Sequence, residues 1–94
     1  MDRVKVEKDW KARGFSSGLW VDPPGQVWED YQHDVDELLM VVEGAIEVEM
    51  EGKKIYPNAG EEIFIPAKTV HSVRNVGRTT SHWLYGYKRK TSRG

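Results

Sequence analysis

The chain has 94 residues, of which 38% are hydrophobic and 31% charged, with a formal net charge of −1 and no cysteine. That length is one small domain, and its supply of Val, Trp and Tyr marks it as folded rather than disordered. Without cysteine there are no disulfides, thiolate metal ligands or cysteine nucleophiles, and without an aromatic and basic stripe there is no nucleic-acid platform.

In chain order, the N-terminal segment 1–13 begins MDRVKVEKDW. It is charged and has no apolar stretch of the signal-peptide kind, so a cytoplasmic location is expected. Asp2 to Arg13 has the composition for a turn or two of helix, but no three-four apolar spacing. Turn signals then recur: RG at 13–14, DPPG at 22–25, HDVD at 33–36, EG at 43–44 and 51–52, PNAG at 57–60, PAK at 66–68 and VGR at 76–78. Short runs rich in Val, Ile, Trp and Tyr separate them, the pattern of an all-β sandwich or barrel of about eight or nine strands.

Among these runs, LLMVV at 38–42 is the longest apolar stretch, far short of the ~20 residues a membrane span requires. It is apolar on both faces, so its strand is expected between two layers or beneath a partner chain. Ile46, Val48 and Met50 alternate with Glu47, Glu49 and Glu51, one face buried and the other wet. SHWLYGY opens the final strand pattern at Ser81. The tail 88–94 carries Lys88, Arg89, Lys90 and Arg93 and is expected to be a frayed, solubilising end.

Four residues carry potential chemistry. Tyr31 and His33 share a face if their strand is regular, and Glu37 follows after the polar HDVD turn. His71 opens a later strand in IPAKTVHSVRN. Two neutral imidazoles and one carboxylate are the donor set of catalytic zinc sites and of non-haem iron sites. Either histidine alone reads as a satisfied core residue. On the same parity argument Glu29 shares the facing of Tyr31, at the pocket mouth or in solvent, and Asn75 shares that of His71. His82 has no motif around it. Trp20, Trp28 and Trp83 form either an aromatic pocket for a planar ligand or ordinary core and dimer contacts.

The spacing resembles the two signatures of the cupin superfamily. The first runs from Gly25 through Tyr31, His33 and Glu37 to Gly44; the second runs from Gly60 through Pro66, Lys68 and His71 to Asn75. The resemblance implies a jelly-roll barrel, the double-stranded β-helix, over a single domain at 1–94. It also implies a divalent transition metal (Fe, Ni, Mn or Zn) held by His33, Glu37 and His71, a small-molecule ligand, and a homodimer paired through strands such as LLMVV and the one around GLWV. Asn75, by the same resemblance, closes a turn. Two positions depart from the signatures. Lys68 stands where the turn usually has Gly. Tyr31 stands where the first His ligand is usual, and a phenol of pKa ≈ 10 ligates only after losing its proton. Tyr31 is therefore a ligand, a hydrogen-bond donor beside the metal, or a cavity-lining residue.

Three functions follow. One is a metal-dependent enzyme on a small, oxygen-rich, anionic metabolite, such as a dioxygenase or isomerase. Another is a non-catalytic ligand-binding or sensing module. The third is a metal-free dimeric interaction protein.

Overall fold

The structure, a computed structural model, describes residues 1–90. Helix α1 spans Arg3–Ala12. Asp2 caps it, its Oδ1 accepting from Val4 N at 3.0 Å and Lys5 N at 3.3 Å. The helix is longer than the turn or two its sequence suggests. It docks chiefly through the wholly buried Trp10, with Val6 one turn earlier packed on the same cluster. So narrow an apolar stripe leaves little periodicity to read. No helix among the described residues is long and apolar enough to cross a membrane.

Eight strands follow: β1 (Gly18–Asp22), β2 (Val27–Tyr31), β3 (Glu37–Glu43), β4 (Ile46–Met50), β5 (Lys53–Ile55), β6 (Glu62–Ile65), β7 (His71–Asn75) and β8 (Ser81–Tyr87). They form two antiparallel four-stranded sheets, ordered β1-β8-β3-β6 and β2-β7-β4-β5. This is the expected all-β jelly roll. Gly44, at φ 94°, turns the chain from β3 into β4, a left-handed conformation that suits glycine.

The core between the sheets is built from Leu39, Val41, Ile46, Val48, Ile65, Val73 and Trp83. The outer face of the first sheet is apolar as well, where Leu38, Met40 and Leu84 pack with Trp10 and Phe15. LLMVV therefore lies between two layers, the second sheet and α1. Gly86, opposite Leu38 in β8, makes room for the helix: a Cβ there would collide with the Trp10 ring and the Ser16 carbonyl. The helix is fastened at its end by Glu62, which accepts from Trp10 Nε1 at 3.1 Å and from both Arg13 terminal nitrogens at 2.8 Å.

On the outer face of the second sheet, Glu47 and Glu49 point away from the core as expected, yet Glu47 is only 7% exposed. Tyr56 Oη donates to Glu47 at 2.8 Å, and Arg74 Nη1 bridges Glu47 at 2.7 Å and Glu49 at 2.8 Å. Arg74 also holds Glu29, through Nε at 3.0 Å and Nη2 at 2.9 Å. The parity argument that put Glu29 beside Tyr31 fails because β2 is bulged. Trp28 pairs with Val73 and Tyr31 with His71, so three steps on β2 span two on β7. Asp30 sits at φ 53° within the bulge, its N–H donating to Ser72 Oγ at 2.9 Å.

At the other end of the chain, Lys88 N donates to Asp36 O and Arg89 N to Gly14 O, each at 2.8 Å. The rest of the expected frayed tail, residues 91–94, lies outside the described residues.

Candidate metal centre

Three loops and strand ends converge at one end of the sandwich. His33 comes from the β2–β3 connection, Glu37 opens β3, and His71 opens β7 opposite Tyr31. The two connections are laced together. Lys68 N donates to His33 O at 2.6 Å, Gln32 Nε2 to Lys68 O at 2.7 Å, and Ala67 N to Asp36 Oδ1 at 2.8 Å. Lys68, at φ 66°, adopts the left-handed conformation in which a glycine would be unstrained.

This lacing sets the geometry. Glu37 Oε1 lies 3.4 Å from His33 Nε2 and 3.3 Å from His71 Nε2, and the three potential ligand atoms all lie within 4.8 Å of one another. The side chains of Glu37 and His71 are each 4% exposed, that of His33 28%. Neither approach to Glu37 Oε1 has hydrogen-bond geometry, so this buried carboxylate oxygen has no partner. An orphaned, desolvated oxygen of this kind is costly unless something cationic completes it.

His71 is already oriented for such a role. Its Nδ1 lies 2.9 Å from the Thr69 carbonyl, which only accepts, so Nδ1 carries the proton and, in the neutral form of the ring, Nε2 turns its lone pair toward Glu37. A histidine that donates its second nitrogen to a backbone carbonyl is the usual arrangement behind a metal ligand. Burial opposes protonation of His71, but the nearby Glu37 carboxylate and the Thr69 carbonyl outweigh it and raise its pKa. The set of two imidazoles and one carboxylate, with open positions, fits a divalent ion.

In front of these residues is a cavity of about 180 Å³. Tyr31 lines it, 44% exposed, its ring stacked beside His33 at 6.4 Å. Tyr87 also lines it, a residue the sequence reading missed. Its ring meets that of His33 edge-on at 4.8 Å, and burial, with the Glu37 charge behind it, pushes its phenol up to about 12. The signal was present in the period of β8, where Trp83 and Tyr87 fall on one face and His82 on the other. His82 is not among the cavity-lining residues; it pairs across β8 with Val21 and Glu43.

Trp20, Trp28 and Trp83 all line the same cavity. Trp20 lies 5.2 Å from Trp28 and 6.4 Å from Trp83 between ring centroids. Asp22, 2% exposed, sits behind them: Trp28 Nε1 and Trp83 Nε1 both donate to its Oδ2, at 3.0 and 2.9 Å. Asn75 holds the turn beyond β7, donating to Asp22 O and Thr79 O and accepting from Gly77 N.

Residues 18–87 match the family model for the cupin domain, and the chain belongs to that family. It is 36% identical over 69 residues to the polyketide synthase CurC of Streptomyces cyaneus, covering 72% of this chain and 45% of that protein. The chain thus spans less than half the length of that relative. Among solved structures it resembles the cupin domain of an XRE-family transcriptional regulator from Enterobacter cloacae. The TM-score is 0.75 at 18% identity, over 87% of this chain and 90% of that one. It also resembles a predicted oxalate decarboxylase from Thermotoga maritima. There the TM-score is 0.73 at 21% identity, over 88% and 74% of the two chains. At these identities the two structural likenesses are of fold.

Proposed function

We propose that this chain is a metal-binding cupin in which His33, Glu37 and His71 hold one divalent transition metal ion, Fe, Ni, Mn or Zn. The cavity before them takes a small oxygen-bearing metabolite. The observation that carries this reading is the partnerless Glu37 Oε1, buried between two imidazole nitrogens. When bound, the ion polarises a ligand oxygen or lowers the pKa of bound water. The protein's own part is orientation and exclusion: Thr69 fixes the tautomer of His71, the Tyr87 ring packs against His33, and the indoles keep the cavity apolar. A relative named as a polyketide synthase supports an enolisable, oxygen-bearing ligand.

A non-catalytic binding module is the second reading, and the placement of acid–base groups favours it over an isomerase. Glu29 is engaged by Arg74 on the outer face, and neither Glu29 nor His82 lines the cavity. Among the described residues that line it, Tyr31 and Tyr87 are the only ionisable groups besides the three proposed ligands. Proton transfer would therefore fall to a phenol, whereas a dioxygenase acting on an already ionised enol needs no protein base.

Dimerisation now rests on β1 alone, where Leu19, Trp20 and Val21 are exposed, because α1 covers the outer face of LLMVV. Sedimentation at micromolar concentration tests it, a monomer-only profile counting against a dimer.

The main test is elemental analysis of protein purified without chelator or affinity metal. Wild type is expected to carry close to one equivalent of a transition metal, and His33→Ala/His71→Ala none. Equal, trace content in both proteins refutes the reading. Oxygen uptake over a panel of enolisable acids then separates the enzyme from the binding module.

A further inference from the structure

The cavity has two unlike parts, and the contrast restricts what fits. One corner is polar, formed by His33, Glu37 and His71. The opposite wall is aromatic, formed by Trp20, Trp28 and Trp83, and Trp28 and Trp83 offer no hydrogen bonds. Both of their indole N–H groups are already committed to Asp22 Oδ2, so Trp28 and Trp83 present only carbon and π surface to the space. No Lys or Arg is among the cavity-lining residues.

Each fact removes a ligand class. A dicarboxylate would place one carboxylate at the polar corner and leave the other facing indole, without a cation to pair it. A sugar acid would bury several hydroxyls against a wall whose Trp28 and Trp83 N–H groups are already committed, leaving the Trp20 N–H as its one donor. A flat conjugated ring instead meets what the wall provides, since aromatic faces favour stacked or edge-on contacts at centroid separations of roughly 4.5–7 Å. The volume agrees: about 180 Å³ slightly exceeds the ~150 Å³ of a cavity known to accept benzene.

We propose that the cavity takes a planar, conjugated ligand of one or two fused rings, carrying a phenolic or enolic oxygen directed at the His33–Glu37–His71 corner. Trp20 is its specificity-determining contact. The oxygen's placement rests on the metal reading above; the ring's placement rests on the tryptophans alone. Trp20 suits the role because it is 39% exposed, adjoins Trp28, Trp83 and Tyr85 at centroid distances of 5.2 to 6.4 Å, and makes no indole hydrogen bond. It can therefore be changed without orphaning a buried polar group.

Calorimetric titration with 2-naphthol, oxalate and gluconate, each on zinc-treated and on metal-free protein, tests both parts. 2-Naphthol is expected to bind both forms, more tightly after zinc treatment, and at least about tenfold more tightly than oxalate or gluconate in each form. Trp20→Ala should weaken 2-naphthol about tenfold in both forms, the scale of one lost aromatic contact, while leaving zinc uptake unchanged. Trp20→Phe, which retains a smaller ring on the same strand, should fall between and guards against a folding defect in the alanine variant. Should zinc bind while 2-naphthol does not exceed gluconate, the ligand class is wrong and the metal reading survives. Should no zinc bind, the metal reading fails, and the metal-free comparison still decides the ring's placement. Undiminished 2-naphthol binding by Trp20→Ala removes Trp20 from its role.

Discussion

Trp28 and Trp83 stand on opposite sheets, and both donate their indole N–H to the same carboxylate oxygen of Asp22. Asp22, buried behind the cavity, thereby ties the two sheets together and sets the planes of two cavity-lining rings. Replacing it with alanine orphans two indole donors, one of them on a nearly inaccessible side chain. At ~1–3 kcal/mol for each unsatisfied group, Asp22→Ala should lose about 2–5 kcal/mol in urea unfolding. Asp22→Asn retains one acceptor oxygen and should lose about half as much. A loss below about 1 kcal/mol for the alanine variant would show that this tie contributes little.

Glu37 makes the opposite kind of prediction. Its buried Oε1 is unsatisfied without an ion, so metal-free protein carries a desolvation penalty there. Glu37→Gln keeps the shape, and its amide can donate to the imidazole lone pair that Oε1 cannot serve. Metal-free Glu37→Gln should therefore match or exceed metal-free wild type by about 1–2 kcal/mol, while its metal content drops at least about tenfold. Destabilisation of the metal-free variant would mean that Glu37 is structural rather than a ligand in waiting.

The clamp between Arg13 and Glu62 should appear in the acid limb of stability. The paired hydrogen bonds from Arg13 hold the Glu62 carboxyl below its usual 4.5, burial works against this, and Trp10 Nε1 adds to the lowering. A depressed folded pKa means stability that is present in full above the unfolded value and lost as pH falls through the folded one. About a third of the Glu62 side chain is exposed, so solvent screening limits the contribution to ~1 kcal/mol. Glu62→Gln should thus melt below wild type at pH 7, with the gap closing as pH falls through the lowered folded value. A gap that stays constant from pH 7 to pH 3 would assign the effect to packing of α1 instead.

How far the sequence could be read depended on whether neighbours in space were also neighbours in the chain. The loops bearing His33, Glu37 and His71 have fixed lengths between glycines and strands, so two short signatures disclosed their convergence and the jelly roll with it. The bulge at Asp30 was invisible, because strict alternation was assumed across VWEDY and one extra residue reverses every facing beyond it. Asp22 was hidden inside DPPG, which reads as a turn and nothing more. The three tryptophans lie on β1, β2 and β8, and only the two-sheet topology brings them together.

Lys68 is strained where a glycine would not be, at φ 66° in the loop that carries its N–H to His33 O. Lys68→Gly should relieve about 1 kcal/mol of left-handed strain, partly offset by the larger chain entropy of glycine when unfolded. The net expectation is a gain of about 0.5 kcal/mol by chemical denaturation, with metal content unchanged. A loss of stability would indicate that the lysine stem packs over the loop and outweighs its backbone cost.

Tyr31 separates two chemistries at one position. It occupies the place of the family's usual first histidine, lines the cavity, and is 44% exposed with its ring beside His33. Ligation would require it to shed a phenolic proton, which a hard trivalent ion promotes far more than a divalent one. At its exposure the hydroxyl is well hydrated without a metal, so the weaker role, donating to a bound ligand's oxygen, asks less of the site. Tyr31→Phe should then retain the wild-type metal content while binding an oxygen-bearing ligand about five- to tenfold more weakly, the worth of one hydrogen bond. The ferric form of wild type should lack the strong visible absorption of an iron–phenolate bond. A coloured ferric protein that loses its band in Tyr31→Phe would instead make Tyr31 the fourth ligand, and the site a phenolate variant of the two-histidine, one-carboxylate set.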